Sequence, residues 1–242
     1  MTELQTDLSK KVMLACRILA MEGMTDGVLG HVSARIPGTN EMLIRCRGQN
    51  EEGVRYTTID AIRRVDFDGR GDDLQGGLYQ IPLELPIHGE IFKKRPEVGC
   101  VIHAHPPAAL ICGITELELK PIFGPYNLQA MQMAIEGVPI FAHAYLITRP
   151  DLAANLIEAM QHKDICLMKG HGITVTGETV EDATIRALSL NTLFQVTLEA
   201  AKTGRPPKEL PQEDLDMLPA GSKFGPNWPW RYYLRKLQEA DK

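Results

Sequence analysis

His103 and His105 stand one residue apart where an apolar run, Val98, Cys100, Val101 and Ile102, meets Pro106 and Pro107. In an extended chain residues i and i+2 point to the same face, so the two imidazoles can sit side by side at a strand end. A third histidine, His171, lies between Gly170 and Gly172, whose freedom allows a tight turn that could bring it in from elsewhere. Three neutral imidazoles would leave a coordination position open, which is a catalytic arrangement rather than a structural one. On local pattern alone the histidine pair could equally be ordinary polar residues that end a strand.

The elements expected around these residues follow from periodicity. Val12, Ala15, Cys16 and Leu19 make one apolar stripe of a first helix that ends near Gly23. Short strands are expected over 32–36, 42–46 and 64–67, parted by turns such as Pro37-Gly38-Thr39-Asn40 and Asp68-Gly69, and such turns favour antiparallel neighbours. Ile87 and Ile91, four apart, predict a helix over 86–94 that leads into the histidine strand. The body closes with a strand over 138–142, a helix over 151–161, a hairpin over 165–176 and a long helix over 180–202. From Pro206 to Asn227 the composition predicts an extended arm rather than a second domain, and the cluster Trp228, Trp230, Tyr232 and Tyr233 at its end must bury itself on its own subunit or a neighbour.

Composition excludes several classes. A net charge of -5 over 242 residues, with scattered Lys and Arg, argues against nucleic acid as a partner. No run of about 18 uncharged apolar residues occurs, so no membrane span is expected, and the chain reads as cytoplasmic. The five cysteines are dispersed without a Cys-x-x-Cys pair, as expected of buried thiols. Cys100 could be imagined as a nucleophile, but within a Val and Ile run it reads as core.

The run from Glu84 through Arg95-Pro96, followed by His103-Ala104-His105 and by Lys169-Gly170-His171-Gly172, closely resembles the class II aldolase and adducin family. The resemblance spans roughly residues 10–203 and rests on four elements in order: an acid before a helix, Arg-Pro after it, His-x-His, and a glycine-flanked histidine. It implies an α/β fold, three-layer αβα around a central, largely antiparallel sheet, with a catalytic domain over 1–205 and the arm over 206–242. It implies that His103, His105 and His171 bind a divalent metal, zinc first and manganese or another ion in some members, with Glu84 as the catalytic carboxylate. It also implies a homotetramer with sites at subunit interfaces. If the helix begins early, Glu84 and His88, four apart, could meet, with His88 orienting the acid; a backbone-bonded His88 is the equal alternative.

The departures from the family's sugar-phosphate aldolases are informative. Their Gly-Asn-Val-Ser loop is Gly30-His31-Val32-Ser33 here, their Thr-Gly turn is Arg45-Cys46-Arg47-Gly48, and their serine pair ahead of the acid is Pro82-Leu83. Phosphate donors are lost while His31, Arg45 and Arg47 are gained, and a guanidinium fork suits a carboxylate. His31, Arg45, Arg47 and Gly48 are therefore expected to meet a small carboxylic acid, with the two arginines on one strand face turned from the core. Tyr126, near the loop where aldolases carry a tyrosine from the adjacent subunit, and Tyr232 or Tyr233 from the arm are candidate proton donors. The pattern most resembles the branch that decarboxylates dihydroxyphthalates and ring-cleavage acids. A metal-dependent aldolase or epimerase for a hydroxy-carbonyl compound stays open, whereas a non-catalytic adducin-like module gives no reason to keep the histidines and Glu84.

Overall fold

The structure is a computed structural model describing residues 2–217 and 225–242. Seven strands form one sheet: β1 (His31–Arg35), β2 (Glu41–Arg45), β3 (Ile62–Asp66), β4 (Cys100–Ala104), β5 (Ile140–Phe141), β6 (Ile165–Met168) and β7 (Gly172–Gly177). Their order is β3-β2-β1-β4-β7-β6-β5, antiparallel at every pairing except β5 with β6. The Pro37-Gly38-Thr39-Asn40 turn read from the sequence joins β1 to β2, whereas β2 and β3 are joined through the longer stretch 46–61. A parallel pair needs a crossover, and between β5 and β6 the helix α5 (Pro150–Met160) supplies it.

Strand alternation sorts the core into two layers. Val32, Ala34, Leu43, Cys100, Ile102, Ala104, Ile173 and Val175 pack beneath α1 (Glu3–Met21), α3 (Pro107–Thr115), α4 (Leu128–Glu136) and α6 (Val180–Lys202). Met42, Ile44, Val101, Cys166 and Met168 face the other way, onto α2 (Leu85–Lys94) and α5. The α/β fold with helices on both faces is thus as expected. The α2 layer lies close to the sheet, for a Cβ on Gly89 would come within 1.9 Å of the Phe67 carbonyl oxygen.

Three expectations change. The proline pair that ends β4 also starts an element for which no helix is expected: Pro107 opens α3, where its missing N–H would have had no partner in any case. β5 is shorter than 138–142, since Pro139 can accept from Leu167 but cannot donate. The 206–227 stretch, of which 218–224 lie outside the described residues, contains a short helix α7 (Gln212–Asp216). The aromatic cluster after it is no extended arm but lies on α8 (Asn227–Ala240), which packs on α1 and α6 and buries Trp230 and Leu237 on its own subunit.

All five cysteines are free and buried. Cys100 belongs to the α1 and α6 layer, opposite the side of β4 that carries His103, and burial pushes its thiol well above the ordinary range. It is core. No helix among the described residues is long and apolar enough to cross a membrane.

Candidate active site

The central strands β1, β4 and β7 align His31 with His103, and His103 with Thr174. Paired residues project on one face, so a polar patch interrupts the α2 layer at this end of the sheet. His103 is fully buried. His105 follows β4 directly, anchored by its backbone N–H to the Met24 carbonyl at 2.9 Å. His171 occupies the turn between β6 and β7, closed by its N–H on the Met168 carbonyl at 3.0 Å, with Gly170 at φ +69°. Gly172 is needed for close approach: a Cβ there would lie 2.2 Å from the Ala104 carbonyl oxygen and 2.8 Å from the His105 ring.

Glu84 stands at the N-terminal end of α2, where its carboxylate makes no capping bond to the helix and turns into the patch instead. Its Oε1 accepts from the Ile147 N–H at 2.9 Å, and its Oε2 lies 3.2 Å from His103 Nε2 and 3.4 Å from His171 Nε2. His103 Nε2 and His105 Nε2 are 2.8 Å apart. One potential ligand atom from each of Glu84, His103, His105 and His171 lies within 4.8 Å of the other three. Burial raises the Glu84 carboxyl, but the hydrogen bonds from His103 and His171 outweigh it and hold the group well below the usual carboxylate range. Burial, then the neighbouring His103 and His171, pushes His105 down to about 3, so it stays neutral. That is the ligating form.

The donor set, three imidazole nitrogens and one carboxylate, suits a divalent ion. The Nε2 atoms of His103, His105 and His171 and the Oε2 of Glu84 face one another, as donors to one shared ion would. Among the described residues, His103 Nδ1 and His171 Nδ1 are buried without a hydrogen-bond partner, so no described group orients these rings from behind. What they share lies at their Nε2 atoms.

His88 takes neither of the two places open to it from the sequence, against Glu84 or on the backbone. It does not meet Glu84. Its Nε2 pairs with His31 Nδ1 at 2.7 Å and its Nδ1 with Ser33 Oγ at 2.6 Å, all three residues being buried. The His31 ring in turn lies 5.1 Å from that of His103. Ser33 stands in the sequence within the Gly30-His31-Val32-Ser33 loop without an expected role, although the alternation that pairs His103 with His105 also sets His31 and Ser33 on one face. Burial, followed by the neighbouring charges, keeps both His31 and His88 below the ordinary histidine range, His88 at about 3.

The two arginines separate. Arg45 shares a face with Leu43, toward α1 and away from the histidines, and is only 2% exposed. Its guanidinium pairs with Glu51 and donates to Thr57 Oγ1 at 3.0 Å. It is therefore neither turned outward nor at the site: the interior offered it a carboxylate. Arg47, past the strand end, bridges its backbone to Gln80 and donates weakly to the Val28 carbonyl at 3.3 Å. Gly48 faces the Tyr79 ring, which a Cβ would approach to 3.1 Å. Tyr126, against Phe123, is 77% exposed, and Tyr232, against Tyr233, is 60% exposed.

Residues 10–198 match the family described as the Class II Aldolase and Adducin N-terminal domain. The chain is 38% identical over 233 residues to a 3,4-dihydroxyphthalate decarboxylase of Arthrobacter keyseri, covering 95% of this chain and 93% of the relative. A 3,4-dihydroxyphthalate decarboxylase of Rhodococcus jostii (strain RHA1) is 34% identical over 92% of each chain. The fold is shared with an aldolase II superfamily protein from Pseudomonas syringae, with a TM-score of 0.86 at 21% identity, over 99% of this chain and 95% of that one.

Proposed function

Because the chain belongs to the class II aldolase and adducin family, we propose that this lyase removes carbon dioxide from a hydroxylated aromatic or ring-cleavage carboxylic acid. The observation that carries this reading is near full-length similarity to dihydroxyphthalate decarboxylases. The convergence of Glu84, His103, His105 and His171 supports it.

A divalent ion held by His103, His105 and His171 beside Glu84, zinc in the first instance and manganese as the alternative, would supply Lewis acidity for the negative charge that develops as the C–C bond breaks. Glu84, ionised, accepts the proton of a substrate hydroxyl and returns it to the carbon that has lost its carboxyl group, while the bond's electron pair stays with that carbon. Ile147 fixes one oxygen of Glu84 and leaves the other to face the histidines. His31 borders the same patch. Arg47 and Gly48 remain candidates for a second carboxylate of the substrate, a part that Arg45, already paired, does not take.

Tyr126 and Tyr232, exposed on this chain, fit a homotetramer in which a neighbouring subunit brings a tyrosine to the site. Five buried free thiols suit a reducing compartment such as the cytoplasm.

The test is carbon dioxide release from 3,4-dihydroxyphthalate by zinc-loaded protein, with 3,4-dihydroxybenzoate as coproduct. Release is expected. If neither this acid nor hydroxy-oxo-dienoates yield carbon dioxide, while hydroxy-keto acids give pyruvate or an aldehyde, the aldolase reading replaces this one.

A further inference from the structure

Ser33 lies on β1 with no exposed surface. Among the described residues its hydroxyl has one partner, His88 Nδ1. If His88 donated to that oxygen, the hydroxyl hydrogen of Ser33 would be buried with nothing to receive it, a cost that a native interior avoids. The hydroxyl therefore donates. His88 Nδ1 accepts, and a neutral His88 then carries its proton on Nε2. That N–H faces His31 Nδ1 at 2.7 Å, which must accept in turn. His31 is left with its proton on Nε2, on the ring that packs 5.1 Å from the His103 ring.

We propose that Ser33 and His88 lock His31 in its Nε2–H tautomer, so that His31 meets the substrate as a neutral hydrogen-bond donor to a carboxylate oxygen. The direction of each bond in this Ser33–His88–His31 series is set at its buried end, by a hydroxyl with a single described partner. The series thereby converts a residue that could donate or accept into one that only donates. Such a group takes a carboxylate and turns away a ligand offering an N–H or O–H at the same point. Ser33 and His88 are positioning residues; His31 is the one that touches substrate. The tautomer lock is independent of the decarboxylase reading, and only the identity of the bound oxygen rests on it.

The experiment is imidazole 15N NMR on the full-length, zinc-loaded chain, with phthalate as an unreactive probe titrated in parallel. His31 and His88 are assigned from the spectra of His31→Gln and His88→Gln. Both rings are expected to show a protonated Nε2 and a bare Nδ1. Ser33→Ala is expected to mix the tautomers of His88 and weaken phthalate several-fold without changing zinc content, and Ser33→Thr to restore both. His31→Phe is expected to weaken phthalate about tenfold, the scale of a hydrogen bond to a charged group, whereas His31→Gln, with an amide N–H near the Nε2 position, keeps most of the affinity. A His31 protonated on Nδ1, or on both nitrogens, overturns the lock. Phthalate binding that His31→Phe leaves intact, or that the unaltered protein does not show, overturns the donor role. Should carbon dioxide release fail while the tautomers and phthalate affinities follow expectation, the substrate is wrong and the lock stands.

Discussion

Glu51 and Glu84 are both largely buried carboxylates, on opposite faces of one sheet, and they are satisfied in different ways. Glu51 pairs with the guanidinium of Arg45 and accepts the Gly53 N–H at 2.7 Å. Arg45 is tied in turn to Thr57, whose hydroxyl donates to the Val54 carbonyl at 2.8 Å. Every partner of Glu51 is permanent, and the group fastens the 51–57 segment to β2. Glu84 has one permanent partner, the Ile147 N–H; its other oxygen faces imidazoles that can instead turn to an ion or a substrate. A buried acid whose partners have no second use holds a fold, and one whose partners could also ligate an ion can do chemistry.

The sharpest way to test that contrast is His103→Ala, which should reduce bound metal to background and turnover by at least about a thousandfold, read by elemental analysis and carbon dioxide release. Metal kept in full would remove the basis for treating Glu84 differently from Glu51. Glu84→Gln should keep metal and fold while kcat falls by about 10²–10⁴, the range of a lost proton carrier. Arg45→Met belongs to the other side. Denaturant unfolding should show a loss of about 3 kcal/mol from stranding Glu51, with KM unchanged in the folded protein. A raised KM at unchanged stability would mean that Arg45 serves the substrate after all. The smallest effect is expected from Cys100→Ala, about 1 kcal/mol of stability with turnover intact; loss of turnover would put the thiol into the reaction.

What the sequence made legible, and what it hid, follows the range of each signal. The stripe of α1 and the span of α6 are local, and both elements stand where periodicity put them. The His103 and His105 pair is also local, for two residues of one strand need no knowledge of the rest of the chain. Arg45 shows the limit: spacing put Arg45 and Arg47 on a common face but could not say which face met water, and the Glu51 carboxylate that holds Arg45 comes from a segment without periodicity. His88 fails similarly. Its helical neighbour Glu84 was a reasonable partner, yet the ring is held by His31 and Ser33, more than fifty residues away in sequence. α3 and α8 have weak local signals: Pro107 opens one, and Trp228 to Tyr233 span the first two turns of the other, and tertiary contact docks both.

Gly89 gives α2 a mechanical role. The helix bears flush on the Phe67 carbonyl at this residue, with Glu84 at its N-terminal end and His88 one position away. A single methyl group at position 89 would act as a shim under a lever, tilting the acid out of line with the histidines and loosening the grip on His31 in the same movement. Glu84 and His88 thus share one fulcrum, and their alignment is set by the thickness of a missing side chain.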